Sequence, residues 1–181
     1  ISWFLSPLLS SPYDLASYDL IVPDDRDWAF ESIELQFDNG KQLVVEGTLD
    51  LDGVTLTASD STWGGLVYDS GSSSNNYLTD SVVKKVDAVE DGMITVNSGT
   101  LNVHGSTILH TTQSTYWGIY SPYGGGDIDI EDSYVEAIWG HAILSQGANV
   151  VTSTNTDFFQ QGVNFGALSA GSGSDIWTYK S

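Results

Sequence analysis

The chain of 181 residues contains no cysteine. That excludes disulfide scaffolds, thiol nucleophiles and thiolate zinc sites. Positive charge is nearly as scarce: 5 Lys plus Arg stand against 24 Asp plus Glu, a formal charge of -19. Nucleic-acid binding neutralises phosphates with clustered cations, so this balance argues against it. Adsorption to an anionic bilayer surface is disfavoured for the same reason. No stretch approaches the ~20 apolar residues of a membrane-spanning helix, so no transmembrane segment is expected. The apolar opening Ile1-Ser2-Trp3-Phe4-Leu5 has no basic residues before it and does not read as an intact signal peptide. The three histidines, His104, His110 and His141, show neither HxH nor HExxH spacing, which argues against a zinc site. No GxSxG elbow is present. Gly124-Gly125-Gly126 lacks the lysine and following helix of a phosphate cradle.

What is abundant points to β-structure. Hydrophobic residues make up 40% and aromatics 12%, enough for a packed core. The acids are mostly Asp, which favours turns and caps over helix interiors. Glycine, serine and threonine add to a turn-rich composition. Leu49 and Leu51 alternate with Asp50 and Asp52, and Ile128 and Ile130 with Asp127, Asp129 and Glu131. That is the period of a strand with one face in and one face out. No long apolar stripe of helical period occurs.

An internal repeat organises the chain. Gly40 to Leu56 (GKQLVVEGTLDLDGVTL) matches Gly92 to Ile108 (GMITVNSGTLNVHGSTI) at an ungapped offset of 52 residues. Within it a half-period emerges. Gly53, Asp80, Gly105, Asp132 and Asn155 recur at spacings of 27, 25, 27 and 23, and all three residue types tolerate left-handed backbone angles. Two residues before them stand Leu51, Leu78, Val103, Ile130 and Ser153; three after stand Leu56, Val83, Ile108, Val135 and Phe158. Trp-Gly follows at Trp63, Trp117 and Trp139. Each unit reads as strand, tight turn, strand, longer loop, third strand. Stacked units of this kind form a solenoid of about five coils.

On the strength of that repeat and of Trp63-Gly64-Gly65-Leu66 and Trp117-Gly118-Ile119, the chain resembles the right-handed parallel β-helix superfamily with the pectin-lyase-like fold. It is most similar to extracellular repeat proteins that carry a Trp-Gly-Gly signature. The resemblance implies an all-β solenoid over residues 40–168. Residues 1–39 are expected as an N-terminal cap or docking arm, and 169–181 as a Gly/Ser linker with a short closing strand. It also implies an extracellular or cell-surface location. It implies little about activity, because this fold carries lyases, hydrolases, adhesins and passive stalks.

Stacking makes equivalent positions neighbours, so His104 should lie beside Glu131 and Asn102 beside Asp129. Asp127, Asp129 and Glu131 are the candidate ligands for a hard cation such as calcium, which wants several oxygens. Carboxylates two apart on a strand stand about 6.5–7 Å apart, however, so one ion cannot take both unless loops fold over them. A solvated outer face is the plainer reading of the same residues. Trp63, Trp117, Trp139, Tyr120 and Tyr123 fall on or near the post-turn loops, where aromatic faces serve protein interfaces and sugar stacking; the alternative is inward packing at a corner. The lyases of the resembling family use a Lys or Arg base beside acids, which makes Lys84, near Asp87, Glu90 and Asp91, and His104 the residues to consider for an enzyme. The only Arg is Arg26, too few for carboxylate clamps. The expected function is therefore a non-enzymatic structural or adhesive module. It needs no cofactor, and calcium is the one ion considered. Its partners would be copies of itself, stacked head to tail into a filament, or further domains of a longer surface protein. The rival readings are a carbohydrate-active or glycan-binding β-helix and a calcium-stabilised spacer.

Overall fold

The computed structural model describes residues 18–69, 75–88, 92–109, 117–137, 140–146 and 149–159 with their side chains. Beyond these it describes the backbone of the strand residues 3–4, 13–14, 160, 168–170 and 175–179. All regular structure among them is β-strand, with no helix and hence none long and apolar enough to cross a membrane.

The strands stack into three parallel sheets of eight, seven and seven strands. The first takes Trp3–Phe4, Asp27–Glu31, Thr48–Asp52, Asn76–Thr79, Thr100–His104, Asp127–Glu131, Val150–Thr154 and Asp175–Tyr179. The second takes Tyr13–Asp14, Glu34–Phe37, Thr55–Ala58, Val82–Lys84, Thr107–Leu109, Tyr134–Ala137 and Asp157–Gln160. The third takes Leu20–Val22, Gln42–Val45, Gly65–Tyr68, Gly92–Val96, Trp117–Ser121, Ile143–Ser145 and Leu168–Ala170. The chain visits third, first and second sheets in turn and then steps up one coil, which defines a parallel β-solenoid. The five coils expected over residues 40–168 are present. Residues 20–37, expected within a cap or arm, build a coil of their own in the same three sheets. Asp175–Tyr179 closes the first sheet against Val150–Thr154.

The register follows the repeat residue for residue. Phe30, Leu51, Leu78, Val103, Ile130 and Ser153 form one inward column. Leu35, Leu56, Val83, Ile108, Val135 and Phe158 form another. Leu43, Leu66, Ile94, Ile119 and Ile143 form the third. Except for the partly buried Phe158, these side chains are buried. Each such aliphatic side chain contributes about 1.5–3 kcal/mol by leaving water. At ~4.8 Å between strands, every apolar residue rests on its counterpart in the next coil, which is what fills the interior of so narrow a solenoid.

The corner between the first and second sheets is left-handed in each of the six coils where it is described. Ser32, Gly53, Asp80, Gly105, Asp132 and Asn155 have φ of 51°, 64°, 46°, 60°, 49° and 45°. The side chains of this column are stacked too. A Cβ on Gly105 would lie 2.2 Å from Asp80 Oδ1, and one on Gly53 would lie 3.4 Å from Ser32 Oγ. A side chain at one turn thus leans over a glycine at the next. That alternation gives a physical reason for a sequence that repeats over two coils, as Gly53 to Gly105, rather than over one.

The residue after each turn carries a further device. Ser81, Ser106, Ser133 and Thr156 each turn a hydroxyl back into the ladder. Ser81 Oγ accepts from Val54 N–H at 2.9 Å, Ser106 Oγ from Ser81 N–H at 3.0 Å, Ser133 Oγ from Ser106 N–H at 3.1 Å, and Thr156 Oγ1 from Ser133 N–H at 3.4 Å. Each hydroxyl donates in turn to a main-chain carbonyl, as Ser81 does to Thr79 O at 2.7 Å and Ser133 to Glu131 O at 2.7 Å. Four corner N–H groups turned away from strand pairing are satisfied in this way.

Candidate functional site

The outer face of the first sheet gathers most of the chemistry. Its pleat aligns two outward columns. One runs Glu31, Asp52, Thr79, His104, Glu131 and Thr154. The other runs Ala29, Asp50, Tyr77, Asn102, Asp129 and Thr152. At the N-terminal part of this face lies a cavity of about 270 Å³ lined by Ala29, Glu31, Asp50, Asp52, Tyr77 and Thr79 among others. Small Ala29 leaves the depression, and Tyr77, 43% exposed, walls it. None of the acids in it has an ion-pair partner among the described residues. Partial burial raises the Asp50 carboxyl above its ordinary value, and the neighbouring Asp52 charge adds to the rise. Beneath the sheet, the buried Tyr68 phenol is pushed up by desolvation and then by the Asp50 charge, and its hydroxyl has no hydrogen-bond partner among the described residues.

The residues singled out from sequence fall at the other end of the same face or elsewhere. His104 does lie beside Glu131, and Asn102 beside Asp129. The contact His104 makes, however, is with the next residue: Nε2 stands 3.7 Å from Asp132 Oδ2, with both side chains about half exposed. That exceeds the reach of a general acid–base hydrogen bond. Asp127 accepts the Val150 N–H at 2.8 Å and so caps the neighbouring strand. Asp127, Asp129 and Glu131 all point outward and are exposed. Neither these three nor any other group of three or more acids and histidines among the described residues converges as a cation would require. Lys84 lies in the second sheet, a different wall from His104, and makes no ion pair among the described residues. Glu90, Asp91 and His110 lie outside the described residues.

The aromatics separate into different environments. Trp63 is fully buried. Its ring stacks on Phe37 at 4.6 Å between centroids, and its indole N–H donates to Lys84 O at 2.8 Å. Trp117 is half-buried and packs against Tyr120 at 4.4 Å between centroids, the rings tilted by 32°, while the Tyr120 hydroxyl donates to Gln146 Oε1 at 3.2 Å. The two Trp-Gly pairs are not structurally equivalent. Leu66 pairs with Ile94, and Ile94 with Ile119. Trp63 therefore stands three residues before its reference position, and Trp117 two before its own. Gly65, at φ +95°, lies between Trp63 and Leu66 and breaks the strand alternation there, so Trp63 is free to turn inward. Tyr123 is exposed at the turn after that strand, and Trp139 lies outside the described residues. Tyr77 and Glu31 were not singled out from sequence. Stepping the turn column back from Gly53 to Ser32 would have found Glu31, but serine is a weaker mark of a left-handed turn than Gly, Asp or Asn.

The chain matches no protein-family model, and no curated protein or solved structure matches it.

Proposed function

We propose that the chain is a non-enzymatic structural or adhesive module of an extracellular or cell-surface protein, a right-handed β-helix of the pectin-lyase-like type. The supporting observation is the register. Strands from Asp27 to Thr154 pair one to one through the first sheet, with a nearly all-apolar interior and a solvated acidic exterior. His104 approaches Asp132 only to 3.7 Å, and both groups are half-exposed. Such a solenoid transmits length and stiffness, and its side walls need no partner.

The partners are further coils, either of a longer surface protein or of another copy stacked head to tail. Parallel strands at a solenoid end present unpaired N–H and C=O groups and so template axial contact. The charge of -19 opposes lateral clumping and is screened by salt. Sedimentation and negative-stain microscopy at rising salt test this reading: axial oligomers or fibres are expected, and a strict monomer at high concentration and high salt overturns the self-stacking form. Catalytic turnover of an acidic glycan, lost in Lys84→Ala or His104→Ala, would overturn the non-enzymatic reading.

A further inference from the structure

The corner between Glu34–Phe37 and Gln42–Val45 is a tight turn, closed by Lys41 N–H donating to Asp38 O at 3.0 Å. Its tip is Asn39-Gly40, the one Asn-Gly dipeptide in the chain. Both residues are exposed. Gly40 has φ +73°, and an added Cβ there would meet nothing within 4 Å, so its main-chain nitrogen is uncrowded. That nitrogen has no hydrogen-bond acceptor among the described residues. The Thr62 hydroxyl of the next coil donates to Asn39 Oδ1 at 3.3 Å.

We propose that Asn39 is a site of spontaneous modification, with Thr62 assisting. The Gly40 main-chain nitrogen attacks Asn39 Cγ. The new N–Cγ bond forms as the Cγ–Nδ2 bond breaks, the amide proton passes through water to the departing nitrogen, and ammonia leaves a five-membered succinimide. Water then opens either ring carbonyl, giving aspartate or isoaspartate at position 39. No oxidant or second protein is needed. Negative charge gathers on Asn39 Oδ1 in the tetrahedral intermediate, and Thr62 is already placed to donate to that atom. The absence of a side chain on Gly40 lets its nitrogen approach the side-chain carbonyl.

The fold protects other sites of related sequence. Asp52-Gly53 could close the same ring, but Gly53 N–H is committed to Thr79 O at 2.9 Å within the stacked corner. Asn76 is buried, with Oδ1 accepting Leu49 N–H at 2.8 Å. Asn149 is buried and spends its amide on Ser121 Oγ, Pro122 O and Gln146 O. Modification at Asn39 adds a negative charge to an already acidic chain. In the isoaspartate form it also lengthens the main chain by one carbon, at a corner where Lys41 O accepts Gly64 N–H from the next coil at 2.7 Å. The site would serve as a chemical clock on the age of the module.

The full chain, incubated at mildly alkaline pH and mapped by mass spectrometry, tests the proposal. The mass gain of amide-to-acid exchange, with both isomers, is expected first in the peptide carrying Asn39, at least several-fold ahead of those carrying Asn76, Asn97, Asn102, Asn149 or Asn155. Asn39→Gln should remove it. Thr62→Val should slow it several-fold in the folded chain and leave the rate unchanged in urea, which separates a chemical role of the hydroxyl from a sequence effect. Conversion at Asn39 no faster than at Asn97, or more than tenfold slower in the folded chain than in urea, overturns the site. A Thr62→Val rate equal to that of the parent chain overturns the assistance.

Discussion

Replacing Ser106 by alanine isolates the hydroxyl ladder from everything else in the corner. Ser106 is 1% exposed, and its Oγ accepts the buried Ser81 N–H at 3.0 Å. The same hydroxyl donates to Leu78 O at 2.9 Å or His104 O at 3.0 Å. In Ser106→Ala the Ser81 N–H loses its acceptor where water cannot replace it, at a cost of about 1–3 kcal/mol. Losing the donated bond to a carbonyl adds about 0.5–1.5 kcal/mol. A destabilisation of roughly 2–3 kcal/mol is expected, which for a chain of this size lowers Tm by about 5–10 °C. Thr156→Ala should cost about 1 kcal/mol or less, because the bond it accepts is 3.4 Å long and only part-buried. Urea melts followed by circular dichroism, at unchanged m, give both values. The double variant Ser81→Ala/Ser106→Ala should come close to the sum of the singles, since Ser81→Ala keeps the main-chain N–H that Ser106 Oγ accepts and removes instead the acceptor of the Val54 N–H. Ser106→Ala within about 0.5 kcal/mol of the parent chain, or costing no more than Thr156→Ala, would refute the reasoning.

Three further outcomes follow from particular positions. Asp50 has a raised carboxyl pKa in the folded state, from burial first and Asp52 second, so the protonated form is the one folding favours. The associated stability is fully present below the ordinary carboxylate value and is lost as pH rises through the raised one. Asp50→Asn is therefore expected to stabilise the chain at neutral pH, with an advantage that shrinks on acidification and in high salt; equal melting of the two proteins at pH 7 would count against this. Gly105→Ala places a β-carbon in a left-handed turn at φ 60° and against Asp80 Oδ1, and should cost about 1–2 kcal/mol in urea melts, whereas Asp80→Gly should be neutral or stabilising. Trp63→Ala empties a fully buried site stacked on Phe37 and should cost about 3–5 kcal/mol, against much less for the half-buried Trp117→Ala; equal losses would mean that the two rings are packed alike.

The repeat was legible because a parallel stack copies a local pattern into every coil. The left-handed turn column, Gly53 to Asn155, was marked by residue types that accept positive φ, and all of its positions have it. The columns at Leu51 and Leu56 were marked by alternation and appear in the register without a slip. The same copying placed His104 beside Glu131, but a register specifies backbones rather than side-chain contacts, and the imidazole reaches Asp132 instead. The serines after the turns went unread because a corner serine looks like ordinary turn chemistry until the N–H of the adjacent coil is found above it.

The sequence by itself determined the all-β class, the stacking interval and the inward columns, since each depends on residues within one coil and on the chain's own period. Only the tertiary structure decided what faces what. It turned Trp63 into the core and left Trp117 half-buried, because Gly65, at φ +95°, interrupts the strand alternation between Trp63 and Leu66. It showed that residues 20–37 form a coil, because Ser32 carries the turn there and pairing with Thr48–Asp52 and Thr55–Ala58 is what identifies the flanking strands. And it brought Glu31, Asp50, Asp52 and Tyr77, spread over three coils, around one cavity, a placement no local pattern encodes.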